Sequence, residues 1–208
     1  FGQTDFPFSH TELVENLLNL RPFPHSSVMF RKEMMEELGG YNERCQKSID
    51  YNFYLEMIQA DKRIHCLEEN LINLRRYPGS WGVSDQKSLQ FFYGFLGLVS
   101  YFVYKRNNIN LMRIDKQKFE VIEGLLSKWF YSSSIYKKSM AKKHFFEART
   151  SIRKFDIFNF VKNSFRAFTF DPIFLAYRGV NFGESDVLSF LDYIYKESEE
   201  GKRIITNV

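Results

Sequence analysis

Hydrophobic positions recur at helical spacing along most of this chain, interrupted by a short stretch where the pattern shortens. Leu13, Val14, Leu17 and Leu18 follow Ser9-x-x-Glu12, a capping box, and predict a first helix running to about Asn19. Pro22 and Pro24 then force extended backbone. Ser26 to Phe30 reads as a short strand, and a second helix starts at Arg31 and stops at Gly39-Gly40. Ser48 is placed to cap a third helix from Ile49 to about Ala60, with Ile49, Phe53, Met57 and Ile58 along one side. Lys62 to Leu67 and Leu71 to Arg76 read as strands, and Pro78-Gly79-Ser80 breaks the pattern.

From Asp85 onward no strand pattern remains. Helices are expected over 85–106, 115–131, 133–153, 157–169, 173–179 and 186–198, with Asp115 and Ser185 as N-caps and Asp171-Pro172 opening a helix. Structure type therefore shifts near residue 83. The expected architecture is an α/β half domain of few short strands over 1–83, followed by an all-α extension over 84–208, helical overall. Leu89 to Tyr104 is apolar and aromatic, but its length falls short of the roughly 20 residues that span a bilayer. Gln90, Ser100, two glycines and three tyrosines dilute it further. A buried core helix is the better reading, with an interfacial helix as the other. Ala148-Arg149, Asp156, Ala167 and Asp171-Pro172 resemble one degenerate helix-turn-helix unit of the tetratricopeptide type. Such units stack in groups of about three, so a plain helical hairpin is the simpler expectation.

Composition changes this picture little. Hydrophobic residues make up 44% and charged residues 26%, which excludes extensive disorder. Aromatics reach 18%, more than a helical core needs, so some are available for flat partners such as sugar rings or for a membrane surface. The net charge is +4. Lys137-Lys138, Lys142-Lys143 and Arg153-Lys154 are short basic clusters, read as solvated helix faces or as a surface attracted to anionic lipid or nucleic acid. No nucleic-acid motif is present, and nucleic acid is not an expected partner. Cys45 and Cys66 have neither metal-ligand spacing nor a disulfide framework, which fits a reducing compartment. The first residue is Phe1 and no signal-peptide pattern follows, as in an excised domain.

Candidate chemistry concentrates between residues 22 and 82. Pro24-His25-Ser26-Ser27-Val28-Met29-Phe30-Arg31-Lys32 comes first, then Gly39-Gly40-Tyr41. Ser48-Ile49-Asp50-Tyr51 opens a helix, and Leu67-Glu68-Glu69-Asn70-Leu71 precedes Leu74-Arg75-Arg76-Tyr77-Pro78-Gly79-Ser80. In this order and spacing the segment resembles the acceptor-side half of a family 2 glycosyltransferase, of the inverting GT-A type. That resemblance implies transfer of a sugar from a nucleotide-sugar donor to a glycan, lipid-linked or protein acceptor in an intact parent, with a divalent metal (Mn or Mg) at the diphosphate. No Asp-x-Asp metal motif occurs in the sequence, so this chain alone is expected to hold no metal and to be inactive.

By position in the resemblance, Asp50 is the catalytic base. Its place in the first turn of a helix favours the ionised carboxylate, while burial in a cleft favours the protonated form. Position alone is equally met by Asp50 capping its own helix. His25, Ser26, Tyr41 and Trp81 match acceptor-binding positions, although a structural histidine, a strand-end hydroxyl and core packing of Tyr41 and Trp81 answer the same pattern. Arg75 and Arg76 match diphosphate-neutralising positions, and Arg31 a structural pairing arginine. Two departures stand out. Many relatives have an acidic residue where Ile49 stands, and often a histidine where Tyr77 stands. A cytoplasmic location, peripheral membrane contact and homo-oligomer formation through exposed phenylalanines complete the expectations. The alternative is a helical module that docks a protein or a membrane without catalysis.

Overall fold

The computed structural model describes residues 9–19, 23–73, 87–171 and 183–206. Helix α1 spans His10–Leu18, α2 Lys32–Glu37, α3 Ile49–Gln59, α4 Lys87–Asn107 and α5 Lys116–Ser132. Helix α6 spans Ser134–Arg153, α7 Ile157–Phe170, α8 Glu184–Glu197 and α9 Glu199–Thr206. A 3-10 turn occupies His25–Ser27.

The expectation of an α/β half domain is overturned: the described residues hold helices and no strand. The expected strand at Ser26–Phe30 begins instead with the 3-10 turn, closed by Ser27 N–H to the Pro24 carbonyl at 2.9 Å and Val28 N–H to the His25 carbonyl at 3.1 Å. Beyond it Val28 is extended (φ −101°, ψ 135°), and burial alternates, with Val28 and Phe30 half-buried and Met29 and Arg31 exposed. The expected strand Lys62–Leu67 alternates in the same way, its even-numbered residues half-buried and its odd-numbered ones exposed. The two-residue period is therefore real, but a strand also needs a neighbour to complete a ladder. Here the Ile64 N–H goes to His10 Nδ1 at 3.1 Å. The last expected strand is non-helical and exposed as far as Asn73, and its remainder from 74 lies outside the described residues, as do the boundary near 83 and the helix expected over 173–179.

Helix boundaries follow local chemistry. Ser9 Oγ accepts the Glu12 N–H, and Glu12 meets the Ser9 hydroxyl rather than the Ser9 N–H, so half of the capping box forms. Gly39 and Gly40 end α2 with φ of 74° and 72°, and the Gly40 N–H returns to the Met35 carbonyl at 2.9 Å. That left-handed pair is cheap only for glycine. Asp115 caps α5 through the Lys118 N–H at 2.9 Å. Ser185 lies inside α8; Gly183 precedes that helix, with its N–H on the Asp186 carboxylate at 3.1 Å.

Helices α3 and α4 form the centre. Every α3 residue from Tyr51 to Gln59 is buried, so the helix is enclosed all round rather than on one side. Residues 92–101 of α4 are buried likewise and cross α3 at Gly97. A Cβ on Gly97 would lie 2.0 Å from Asn52 Oδ1 and 3.0 Å from Leu55 Cδ1, so only glycine admits this approach. Helix α1 covers one side of α3, where Tyr51 donates its hydroxyl to the Leu17 carbonyl at 2.6 Å. Helices α5, α8 and α9 cover α4 in one continuous core that includes Phe92, Phe95, Phe130 and Phe190. Helices α6 and α7 form a hairpin in which Ala148 and Ala167, the two alanines of the repeat-like pattern, are buried. No described helix is long and apolar enough to cross a membrane.

Candidate functional site

Residues far apart in sequence meet at the N-terminal half of α3. Pro24 ends extended backbone and starts the 3-10 turn that carries His25. The His25 ring then sits between two phenols, with Nδ1 2.6 Å from the Tyr54 hydroxyl and Nε2 3.1 Å from the Tyr41 hydroxyl. Tyr41 follows the Gly39-Gly40 turn and packs edge-on to Phe53, with ring centroids 5.1 Å apart. Tyr54 is one helical turn beyond Asp50 on the same face of α3.

Electrostatics ties Asp50 to this group. Burial raises the Tyr41 phenol above its ordinary value, and the Asp50 charge raises it further. Burial raises Tyr54 strongly, again with Asp50 and then Tyr41 adding to it. Both phenols therefore stay protonated near neutral pH. Tyr54 is fully buried and its O–H points at Nδ1, so the network is best satisfied when that nitrogen accepts. The imidazole proton then sits on Nε2 and is donated to the Tyr41 oxygen. The Tyr41 hydroxyl proton is left with no acceptor among the described residues. This assignment follows from satisfying the donors, as hydrogens are placed by the network they serve.

Asp50 is half-buried at the start of α3, and its Oδ1 accepts the Tyr51 N–H at 2.9 Å. Its other oxygen has no hydrogen-bond partner among the described residues. The helix-capping alternative is thus met only in part. Ser48, expected as the cap, has left-handed backbone (φ 55°) and donates its hydroxyl across to the Gln90 carbonyl at 2.8 Å. Ile49 is exposed beside Asp50.

The other expected positions divide. Ser26 is exposed on the 3-10 turn beside His25, without a side-chain hydrogen bond among the described residues. Arg31 precedes α2 and is exposed, with no ion pair among the described residues. Arg75, Arg76, Tyr77 and Trp81 lie outside the described residues. Among the described residues no three His, Cys, Asp or Glu side chains are grouped to hold a metal. One carboxylate and one imidazole beside two protonated phenols do not fit the divalent cation that the resemblance implies.

Two supporting groups escaped the sequence reading. Tyr54 was detectable as the i+4 neighbour of Asp50. Glu56 was not: it is buried in α3 at 4% exposure and is held by Arg113 from the α4–α5 connection, with Nε to Oε1 at 2.8 Å and Nη2 to Oε2 at 2.7 Å. Arg113 also donates to the carbonyls of Gly39 and Gly40, at 3.2 and 2.7 Å. It therefore fastens the turn that aims Tyr41. No family model matches the chain, and no curated protein or solved structure matches it either.

Proposed function

We propose that His25, Tyr41 and Asp50 form the acceptor-side wall of a nucleotide-sugar-dependent glycosyltransferase, completed in an intact parent by a donor-binding half. The observation that carries this reading is the convergence of the three side chains, through Tyr54, at the start of α3. They come from separate motifs and are hydrogen-bonded or electrostatically coupled. In this role the Asp50 carboxylate takes the proton of the acceptor hydroxyl as its oxygen bonds to the anomeric carbon. The bond from that carbon to the diphosphate breaks on the opposite side, and the nucleoside diphosphate leaves with the electron pair. Tyr41, held by His25, donates to a neighbouring acceptor oxygen and fixes its angle of attack. Ser26 offers a second hydroxyl on the same rim.

The test uses the intact parent. A manganese-loaded nucleotide sugar should bind saturably, and absence of binding would sink the reading. Asp50→Asn should lower kcat by about 10²–10⁴-fold while leaving donor affinity nearly unchanged. A retained rate would remove Asp50 from the base role.

A further inference from the structure

Helix α7 is amphipathic in the wrong direction for a helix that serves only its own core. Ile157, Val161, Phe165 and Phe168 recur at i, i+4, i+8 and i+11, and with Phe158 they cover an arc of about 100°. All five are exposed, while the buried residue of the helix is Ala167, on the other side. The four exposed phenylalanines among the described residues all lie between 155 and 168. The tip of the α6–α7 hairpin continues the pattern. Phe155 is 91% exposed and has left-handed backbone (φ 56°), a conformation costly for a bulky side chain, and Ile152 is exposed next to it.

Within α7 the charge has one sign. Lys162 lies just beyond the Phe158 edge of the apolar arc and Arg166 further round on that same side, and these two are the charged residues of α7. Arg149, Arg153 and Lys154 are exposed near the tip. The acids of the hairpin are Glu147 and Asp156, and both are engaged inside it. Glu147 meets His144 Nδ1 at 2.9 Å, and Asp156 accepts the Asn159 N–H and side-chain amide at 3.0 and 2.7 Å. An aromatic-rich arc with cations along one edge, and more exposed cations than acids near its tip, is what an anionic bilayer surface recognises. A second copy seated on the same face would bring Lys162 and Arg166 towards their own symmetry mates. At 14 residues the helix is about 21 Å long, too short to cross a bilayer but long enough to lie in its interface.

We propose that the outward face of α7, with the Phe155 tip, docks in the plane of an anionic lipid surface. This site is separate from the Asp50 cluster and does not depend on the sugar-transfer reading. The test is co-sedimentation of the full chain with vesicles of equal parts phosphatidylglycerol and phosphatidylcholine, against phosphatidylcholine alone. Binding is expected to the first and to weaken as salt is raised. Phe158→Ser with Phe165→Ser should weaken it at least about tenfold, and so should Lys162→Glu with Arg166→Glu. Because these side chains are exposed, circular dichroism should be unchanged in both variants. No binding to anionic vesicles, equal binding to neutral ones, or no effect of either pair overturns the proposal. So does a dimer that the Phe→Ser pair dissolves in the absence of vesicle binding, which would make the face an interface between copies.

Discussion

Tyr54 decides which nitrogen of His25 carries the proton. Its ring is buried against Phe23, with centroids 4.5 Å apart, so its hydroxyl cannot turn to water and has His25 Nδ1 as its partner. Losing that hydroxyl leaves Nδ1 unpartnered while the ring still fills the core. Tyr54→Phe should therefore cost only about 1 kcal/mol of stability, the net worth of one hydrogen bond. The imidazole should respond more. Nitrogen NMR of the side chain is expected to show the Nε2-protonated tautomer in the wild-type protein and a mixed population in Tyr54→Phe. A wild-type spectrum dominated by the Nδ1-protonated form would reverse the direction of the relay and leave Tyr41 without its unpartnered proton.

At the scale of elements, the crossing of α3 and α4 is set by Gly97 and Asn52. Asn52 Nδ2 bridges the Ser48 carbonyl at 2.9 Å and the Tyr93 carbonyl at 3.2 Å, which leaves its buried Oδ1 facing Gly97 without a hydrogen-bond donor. Gly97→Ala drives a methyl into it and forces the buried Asn52 and Leu55 side chains to shift. We expect a loss of about 1–3 kcal/mol, read as a lower urea midpoint, although alanine is the better helix former by about 1 kcal/mol. An unchanged or raised midpoint would mean that the crossing is loose. Helix positions were legible because caps and apolar spacing are local, as Asp115 and the Gly39-Gly40 stop illustrate. Strands were not, because ladder partners are non-local: Val28–Phe30 and Lys62–Leu67 carry the two-residue period without a strand to pair with among the described residues. Of the candidate residues that separate motifs marked, His25, Tyr41 and Asp50 lie together at the start of α3. Arg113 was invisible because it reaches Glu56 and the Gly39-Gly40 carbonyls from a distant connection. The outward face of α7 was hidden too, since periodicity marks an apolar arc without saying which way it points.

Across the whole molecule, neutral acids hold the helices together. The Tyr51 hydroxyl ties α3 to α1, and the Tyr93 hydroxyl ties α4 to Glu123 of α5 at 2.8 Å. The Cys45 thiol is buried beside Asn52. Burial is the largest cause that raises each of these groups, pushing Cys45 up to about 12 and the two phenols well above their ordinary 10.0. A group whose folded value exceeds its unfolded one is harder to deprotonate in the fold. Above the unfolded value the unfolded chain binds fewer protons, so stability falls as pH rises. The Cys45 contribution is whole below 9.0 and shrinks from there towards about 12, and the tyrosine contributions begin to shrink near 10.0. The urea midpoint should thus hold steady from neutral pH to about 8, as the thiol reference implies, and decline beyond 9.0. Cys45→Ala should delay the onset of that decline to the tyrosine range near 10.0 and leave the steeper part in place. A midpoint that stays level through that range would mean these groups reach water in the folded chain, and that the core joining α1, α3, α4 and α5 is more open than its packing describes.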